Sequence, residues 1–298
     1  MSENNGTKLS IIIPVSDINN RIEMIKEWIY KVPHDIQLVL VHDRPYETIN
    51  TSLFRNLVTV HENTIFTEGA FNSPGMTRNA GLKIAKAPFI AFWDSDDLPI
   101  LSNVLKMLDV IETSDYDILV GGYNKKDASS NKIKVILPHQ HEWVTEVAAE
   151  PGIWRMIFRS SVLRDLKFTN LQLGEDQIFF LSVLARTPMI GIYSEVVYEY
   201  LYNSNSQLTS KKNFQINNLE ILLQSYNWRK SIPIHPYVTL CRLMHLRLLF
   251  SYFIKVSPLW NPKKLHLIVS HLETLICYEK IRAGEIIKLI SVLMKSRG

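Results

Sequence analysis

Three carboxylates crowd the stretch "AFWDSDDLP" (residues 91–99): Asp94, Asp96 and Asp97, with Ser95 between the first two. Like charges this close call for a positive partner. Carboxylates one residue apart at a strand end point the same way, while the residue between them points opposite. Two hard oxygen ligands on one side suit Mg2+ or Mn2+, ions that keep several waters and bridge substrate phosphates. The plainer reading is that Asp96 or Asp97 caps the helix expected near residue 101. Asp97 is assigned to that task or to ordering the turn. A second pair, Glu175–Asp176, opens the helical stretch "GEDQIFFLSVLART" (174–187). Compensation of the helix N-terminal charge is its plain reading, worth about 0.3–1 kcal/mol. An Asp-x-Asp turn also occurs in phosphohydrolases, with the first aspartate as nucleophile, here Asp94. Those enzymes carry it on the first strand with Thr or Val after the second Asp, whereas here it follows a later strand and Asp97–Leu98 follow.

The elements around the acidic run must place it. "KLSIIIPVS" (8–16) reads as a buried parallel strand whose ligand-facing end is Pro14–Val15. "NNRIEMIKEWIYKVP" (19–33) has helical apolar spacing at Ile22, Ile25, Trp28 and Ile29. "IQLVLVHD" (36–43) is a second buried strand, giving a right-handed βαβ unit. "LVTVHE" (57–62) reads as a third strand and "SPGMTRNAGLKIAKAP" (73–88) as turn and helix. "FIAFWD" (89–94), "LSNVLKMLDVIET" (101–113) and "YDILVGGY" (116–123) continue as strand, helix, strand. The alternation predicts a doubly wound, mostly parallel α/β sheet, which binds ligands beyond the carboxyl ends of its strands. After about residue 125 the pattern is mixed, with "GIWRMIFRSSVLRDLKF" (152–168) as a short strand or turn running into a helix. From about residue 214 the chain reads as helix, with one apolar stripe at Leu265, Ile268, Val269, Leu272 and Ile276 and another at Ile286, Leu289, Ile290 and Leu293.

The 298 residues suffice for one large domain, or one plus a smaller one, and a hydrophobic fraction of 46% supports a real core. Cys241 and Cys277 lie in apolar sequence without ligand spacing and read as buried thiols of a reducing compartment. "MSENNGTKLS" has no apolar h-region, so no Sec-type signal is expected. The longest apolar segment, "LCRLMHLRLLFSYFIKV", is interrupted by Arg242, His245 and Arg247. Residues 211–298 carry 14 Lys and Arg against 4 Asp and Glu, whereas residues 1–210 carry 19 against 25. Such asymmetry points to two regions, 1–210 and 211–298, with different tasks. The basic tail suits an anionic leaflet or a lipid-phosphate acceptor. A bundle packed on the first region or forming a homodimer is the alternative. Nucleic acid is excluded as a partner, because the basic residues are spread over several helices without a recognition motif.

Three stretches together resemble the family 2 glycosyltransferases, which have the GT-A fold. "SIIIPVS" is similar to that family's opening strand. "PGMTRNAGLKIAKAPFIAFWDSDD" (74–97) is similar to its Arg-Asn-x-Gly helix, short turn and DxD strand. "WRMIFRSSVLRDLKFTNLQLGEDQIFF" (154–180) is similar to its acceptor-side segment ending in a Glu-Asp pair. Order and spacing agree over about residues 8–210. The resemblance implies an inverting, metal-dependent hexosyltransferase, GT-A in fold with a helical C-terminal region. It would move a sugar from a nucleotide-diphosphate sugar, with a UDP-sugar the expected donor, to a glycan or lipid-linked hydroxyl. The setting would be bacterial surface polysaccharide or glycolipid synthesis, in the cytoplasm or at the inner face of the plasma membrane.

By the same resemblance, Asp96 holds Mn2+ or Mg2+, and Asp94 and the Ser95 backbone line the ribose and sugar. The Pro14–Val15 backbone meets the nucleotide, Asp43 the base, and Arg78 the diphosphate or the acidic turn. Asp176 is the base that takes the acceptor proton, with Glu175 in that role or supporting it. Trp154 stacks on the acceptor sugar, a core Trp being the alternative. One departure stands out: "YLYNSNSQLTS" (200–210) has Leu201 and Asn203 where the family often has Arg and His. Asn203 offers a hard cation one oxygen and is a weaker ligand than imidazole for Mn2+. A non-catalytic GT-A scaffold is the reading this departure suggests.

Overall fold

A computed structural model describes residues 6–16, 18–43, 61–127, 132–139, 142–171, 174–202, 236–255, 284, 286–287 and 290–291. The chain divides into two compact units. One comprises residues 1–137, 153–170 and 188–204, the other 138–152, 171–187 and 205–298.

The first unit is built on a nine-stranded sheet. β1 (Leu9–Val15) and β2 (Ile36–Asp43) are parallel and joined by α1 (Ile18–Ile29). β3 (Thr64–Gly69) lies parallel on β2 and follows a turn at 61–63. The strand expected at 57–62 falls mostly outside the described residues. α2 (Pro74–Leu82) leads to β4 (Phe89–Phe92), parallel to β1 on its other side. β1 and β2 are buried on both faces, as their unbroken apolar runs require. On one face Leu9, Ile11, Ile13, Leu38 and Leu40 join Ile25 and Trp28 of α1 in the core. On the other, α2 comes so close that a Cβ on Gly81 would sit 2.4 Å from the Ile12 side chain. Only glycine fits there.

Beyond β4 the sheet changes character. β5 (Leu98–Pro99) precedes α3 (Leu101–Glu112), which buries Val104, Met107, Leu108 and Ile111. β6 (Ile118–Asp127) and β7 (Ile133–Ile136) form an antiparallel hairpin. In the second unit, α4 (Trp143–Ala149) follows. A 3-10 turn at Ile153–Arg155 leads into β8 (Met156–Arg159), antiparallel to both β4 and β6, and into the short α5 (Ser160–Leu163). β9 (Ile190–Tyr202) runs parallel to β6 and antiparallel to β5. The expected mostly parallel sheet is therefore mixed: parallel in the order β3-β2-β1-β4, then antiparallel at β8 and β5. The short strand or turn expected to run into a helix at 152–168 is present as the 3-10 turn, β8 and α5, but a four-residue strand carries no alternation from which its antiparallel pairing could be read.

In the second unit, α6 (Glu175–Leu184) is buried nearly all round, and α7 (Tyr237–Lys255) packs against α4. Arg247 of α7 hydrogen-bonds Gln177 of α6. Cys241 is a buried thiol. Among the described residues no helix is long and apolar enough to cross a membrane. Cys277, the 265–276 stripe, Leu289 and Leu293 lie outside the described residues. Ile290 is exposed.

Candidate functional site

β1, β2 and β4 end side by side, so Val15, Asp43 and the run after Phe92 share the carboxyl edge of the parallel half-sheet. Pro14 and Val15 pair with Val41 and His42, one residue short of Asp43. The Asp43 Oδ1 accepts hydrogen bonds from the backbone N–H of Phe71 (2.8 Å) and Asn72 (3.0 Å). Asn72 has φ 60°, and the carboxylate holds this tight turn after β3.

The acidic run is a turn rather than a strand end. Trp93 is buried edge-on against Trp28 (centroids 6.0 Å apart), and the Asp97 N–H donates to the Asp94 carbonyl at 3.3 Å. The alternation expected of a strand therefore does not govern the three side chains, and each meets a different neighbour. Asp94 Oδ1 lies 2.5 Å from Nη2 of Arg78, a guanidinium almost wholly buried on α2 and 5.6 Å over the Phe168 ring. With that oxygen engaged, Asp94 is poorly placed as a phosphohydrolase nucleophile. Ser95 is buried. Asp96 points outward, its side chain 56% exposed, with Nη2 of Arg21 at 3.5 Å.

Asp97 is 2% exposed and accepts from the Leu201 N–H at 2.8 Å and from the Tyr198 hydroxyl. Burial, then the charges of Asp94 and Asp96, push its carboxyl well above the usual carboxylate range. Partial desolvation and the Asp94 charge raise Asp96 in the same direction, against Arg21 and Arg78. Tyr198 is the piece that sequence reasoning missed. Its hydroxyl oxygen accepts the Asp94 N–H at 3.0 Å. Burial and the neighbouring carboxylates push the phenol well above its ordinary range, so it stays protonated and donates to Asp97. The available signal was the tyrosine alternation in "VVYEYLY", which puts Tyr198 and Tyr200 on one face of a strand.

Trp154 belongs to the same cluster. It stacks on Tyr198 (4.7 Å, 28°) and Tyr200 (5.7 Å, 8°) and meets Tyr123 edge-on (4.9 Å, 83°). At 8% exposure its contacts are those of a core aromatic, with little ring left for a sugar. The Arg-Asn-x-Gly run also gains a physical account. Arg78 holds Asp94, and Gly81 lets α2 approach β1. Asn79 clamps the Phe168 backbone from both sides, donating to its carbonyl (2.9 Å) and accepting its N–H (2.8 Å).

Glu175 and Asp176 belong to the second unit, at the N-terminus of α6, where Gly174 takes φ 82° to start the helix. Glu175 is buried; Asp176 is half-buried, and its Oδ1 accepts the Gln177 N–H at 2.8 Å. The helix dipole favours both carboxylates. Asn203 lies outside the described residues.

Among the described residues no group of three His, Cys, Asp or Glu side chains is placed to hold a metal. A Mg2+-like ion that arrives with a diphosphate needs only one or two protein carboxylates, and Asp96 presents one to solvent. The donor set fits an ion of that kind.

The family model described as glycosyl transferase family 2 matches residues 62–173, the span from the turn before β3 through the acidic turn to the loop after Phe168. Poly(ribitol-phosphate) beta-glucosyltransferase of Bacillus spizizenii is 25% identical over 214 residues, covering 67% of this chain and 33% of its own. The chain thus spans about a third of that relative's length. The uncharacterized glycosyltransferase EpsJ of Bacillus subtilis is 25% identical, with 66% and 62% of the two chains covered. Among solved structures, S. aureus TarS 1-349 in complex with UDP-GlcNAc superposes with a TM-score of 0.67 at 18% identity, over 97% of this chain and 91% of that one. The mannosyltransferase PcManGT of Pyrobaculum calidifontis, in complex with GDP-Man and Mn2+, gives 0.58 at 10% identity, over 98% and 86%. Residues 62–173 thus match glycosyl transferase family 2, and the fold is that of the GT-A glycosyltransferases.

Proposed function

We propose that the protein transfers a sugar from a UDP-sugar to a hydroxyl acceptor in the synthesis of a cell-surface polymer. The observation that carries this reading is the division of labour in the acidic turn. Asp94 and Asp97 are built into the protein, while Asp96 is held out at the carboxyl edge of the parallel strands. Support for the donor comes from the TarS complex with UDP-GlcNAc, and support for a polymer acceptor from the name of the B. spizizenii relative.

In this reading the nucleotide lies along the ends of β1 and β2, against the Pro14–Val15 backbone and Asp43. The ribose and sugar lie against Asp94 and Ser95. Arg78 fixes the Asp94 carboxylate, so the turn keeps its shape when charge develops on the leaving diphosphate. Asp96 is the residue that would hold Mn2+ or Mg2+, and the ion, when bound, supplies charge neutralisation to the diphosphate. Asp176 takes the proton of the acceptor hydroxyl during attack, with Glu175 supporting it. One base acting opposite the leaving group gives inversion at the anomeric carbon.

The test is thermal unfolding of the protein against a panel of nucleotide-sugars, each with Mn2+ or Mg2+. A true donor at a hundredfold excess over its dissociation constant stabilises by about 2.7 kcal/mol. Failure of every nucleotide-sugar to shift the transition under either ion would overturn the proposal.

A further inference from the structure

The β6–β7 hairpin carries a charge arrangement that the transfer chemistry leaves unused. Its antiparallel register sets Lys125 directly opposite Lys134. Like charges directly opposite on neighbouring strands repel. At the next place along the same face, Asp127 donates its backbone N–H to the Lys132 carbonyl at 3.0 Å, so opposite charges face each other there. The acid of the hairpin is therefore set against Lys132, and the like-charged pair lies beside it. Among the described residues the Lys134 side chain makes no ion pair. Both lysines of the pair are half-buried.

Strand alternation puts this pair on one face of the sheet with Tyr198 and Tyr200. On that face the Tyr198 hydroxyl accepts the Asp94 N–H, and Trp154 stacks on both tyrosines. The register of β6 and β9 sets Lys125 beside Tyr200. Leu98 pairs with Glu199, so Asp97 comes beside the Tyr200–Leu201 step, where it accepts the Leu201 N–H. A row thus crosses the sheet from the acidic turn through Tyr200 and Lys125 to Lys134. At about 4.8 Å between neighbouring strands, Lys134 stands about 10 Å from Tyr200.

We propose that Lys125 and Lys134 form an oxyanion subsite that holds a phosphate group of the sugar acceptor near the acidic turn. Directly opposite side chains have Cβ atoms about 4.5–5.5 Å apart, so two flexible lysine stems can bring both ammonium groups onto one phosphate. The anion replaces a repulsion with charge-assisted hydrogen bonds from both sides. An uncharged glycan would leave the two cations facing each other. β6 and β7 lie outside the β3-β2-β1-β4 half of the sheet, along whose ends the nucleotide lies in the proposed reading. A phosphate on these lysines is therefore the acceptor's and not the donor's. The role in transfer rests on that reading; the binding of the anion does not.

The test is phosphorus NMR titration of the full chain with glycerol phosphate, a monoester, and with diglycerol phosphate, a diester, each with and without saturating UDP and Mg2+. At least one ester should bind, more weakly as salt is raised, and equally well with UDP present or absent. A preference for the diester supports a phosphate within the acceptor chain, and a preference for the monoester one at its end. Lys125→Gln with Lys134→Gln should weaken ester binding at least about tenfold while UDP binding and the unfolding temperature stay unchanged. The proposal is overturned if neither ester binds the wild type, if the double variant binds as tightly as the wild type, or if plain glycerol displaces the ester. Displacement of the ester by UDP, or loss of UDP binding in the double variant, would also overturn it, because the lysines would then belong to the donor site. Ester binding by a protein that binds no nucleotide would remove the transfer reading and leave the oxyanion site standing.

Discussion

The acidic turn at 94–97 and the acidic pair at 175–176 use the same residue types under different constraints. In the turn, the carboxylates meet distant parts of the chain: Asp94 meets Arg78 on α2, Asp97 meets Leu201 and Tyr198 on β9, and Asp96 makes a solvent-exposed contact to Arg21 on α1. At the start of α6 the Gln177 N–H donates to Asp176 and the N-terminal dipole favours both carboxylates. The first arrangement makes three neighbouring aspartates unequal. The second sets its carboxylates at a helix start in a different unit of the chain. Charge density alone is therefore a poor guide to role; what matters is which carboxylates the fold has already committed.

Asp176→Asn breaks the comparison most sharply. The amide oxygen can still accept the Gln177 N–H, so helix α6 should form. As the proposed base, Asp176 should take with it a factor of about 10²–10⁴ in turnover while donor affinity is unchanged. Turnover close to wild type would remove Asp176 from the chemistry. On the other side of the comparison, Tyr198→Phe should damage the turn through its supports. It strips the Asp94 N–H and the Asp97 carboxylate of a buried partner, at a cost of about 1–3 kcal/mol in denaturant unfolding. It should also raise KM for the donor more than it lowers kcat, and a variant as stable as wild type would mean the hydroxyl supports nothing.

A smaller effect is expected from Asp97→Asn. The folded protein raises the Asp97 pKa above its ordinary 3.8, so it binds that proton more tightly than the unfolded chain does. This contribution to stability is therefore complete below the ordinary value and is lost as pH rises through the raised one. Asparagine keeps the hydrogen-bond acceptor and does not titrate. The variant should gain on the wild type as pH climbs from about 4, with a slope no steeper than about 1.4 kcal/mol per pH unit. Parallel pH profiles of unfolding would contradict the assigned environment.

The parallel half of the fold was legible because its physics is local. β1 and β2 are unbroken apolar runs, and Trp28 and Ile25 recur at helical spacing, so burial on both faces could be read directly. The rest depends on pairing. Residues 64–69 form the strand beside β2, although "LVTVHE" just before them is as β-branched as "TIFTEG". Asp94, Asp96 and Asp97 were legible as an acidic site, but their inequality was not. That comes from Arg78, sixteen positions upstream of Asp94, and from Tyr198 and Leu201, about a hundred positions downstream of the turn. Trp154 was assigned to the acceptor sugar by resemblance, with a core Trp as the alternative; the three tyrosines packed around it come from β6 and β9, which no local pattern brings together.

In the proposed reading Asp96 is the arm of the turn left out for the diphosphate and its ion. Calorimetric titration of UDP with Mn2+ into the wild type and into Asp96→Ala addresses it directly. The side chain is 56% exposed with a single surface ion pair, so its removal should leave stability within about 1 kcal/mol. Asp96→Ala is expected to unfold like the wild type and to lose ion-dependent UDP binding. A variant that bound UDP and Mn2+ as tightly as the wild type would contradict it.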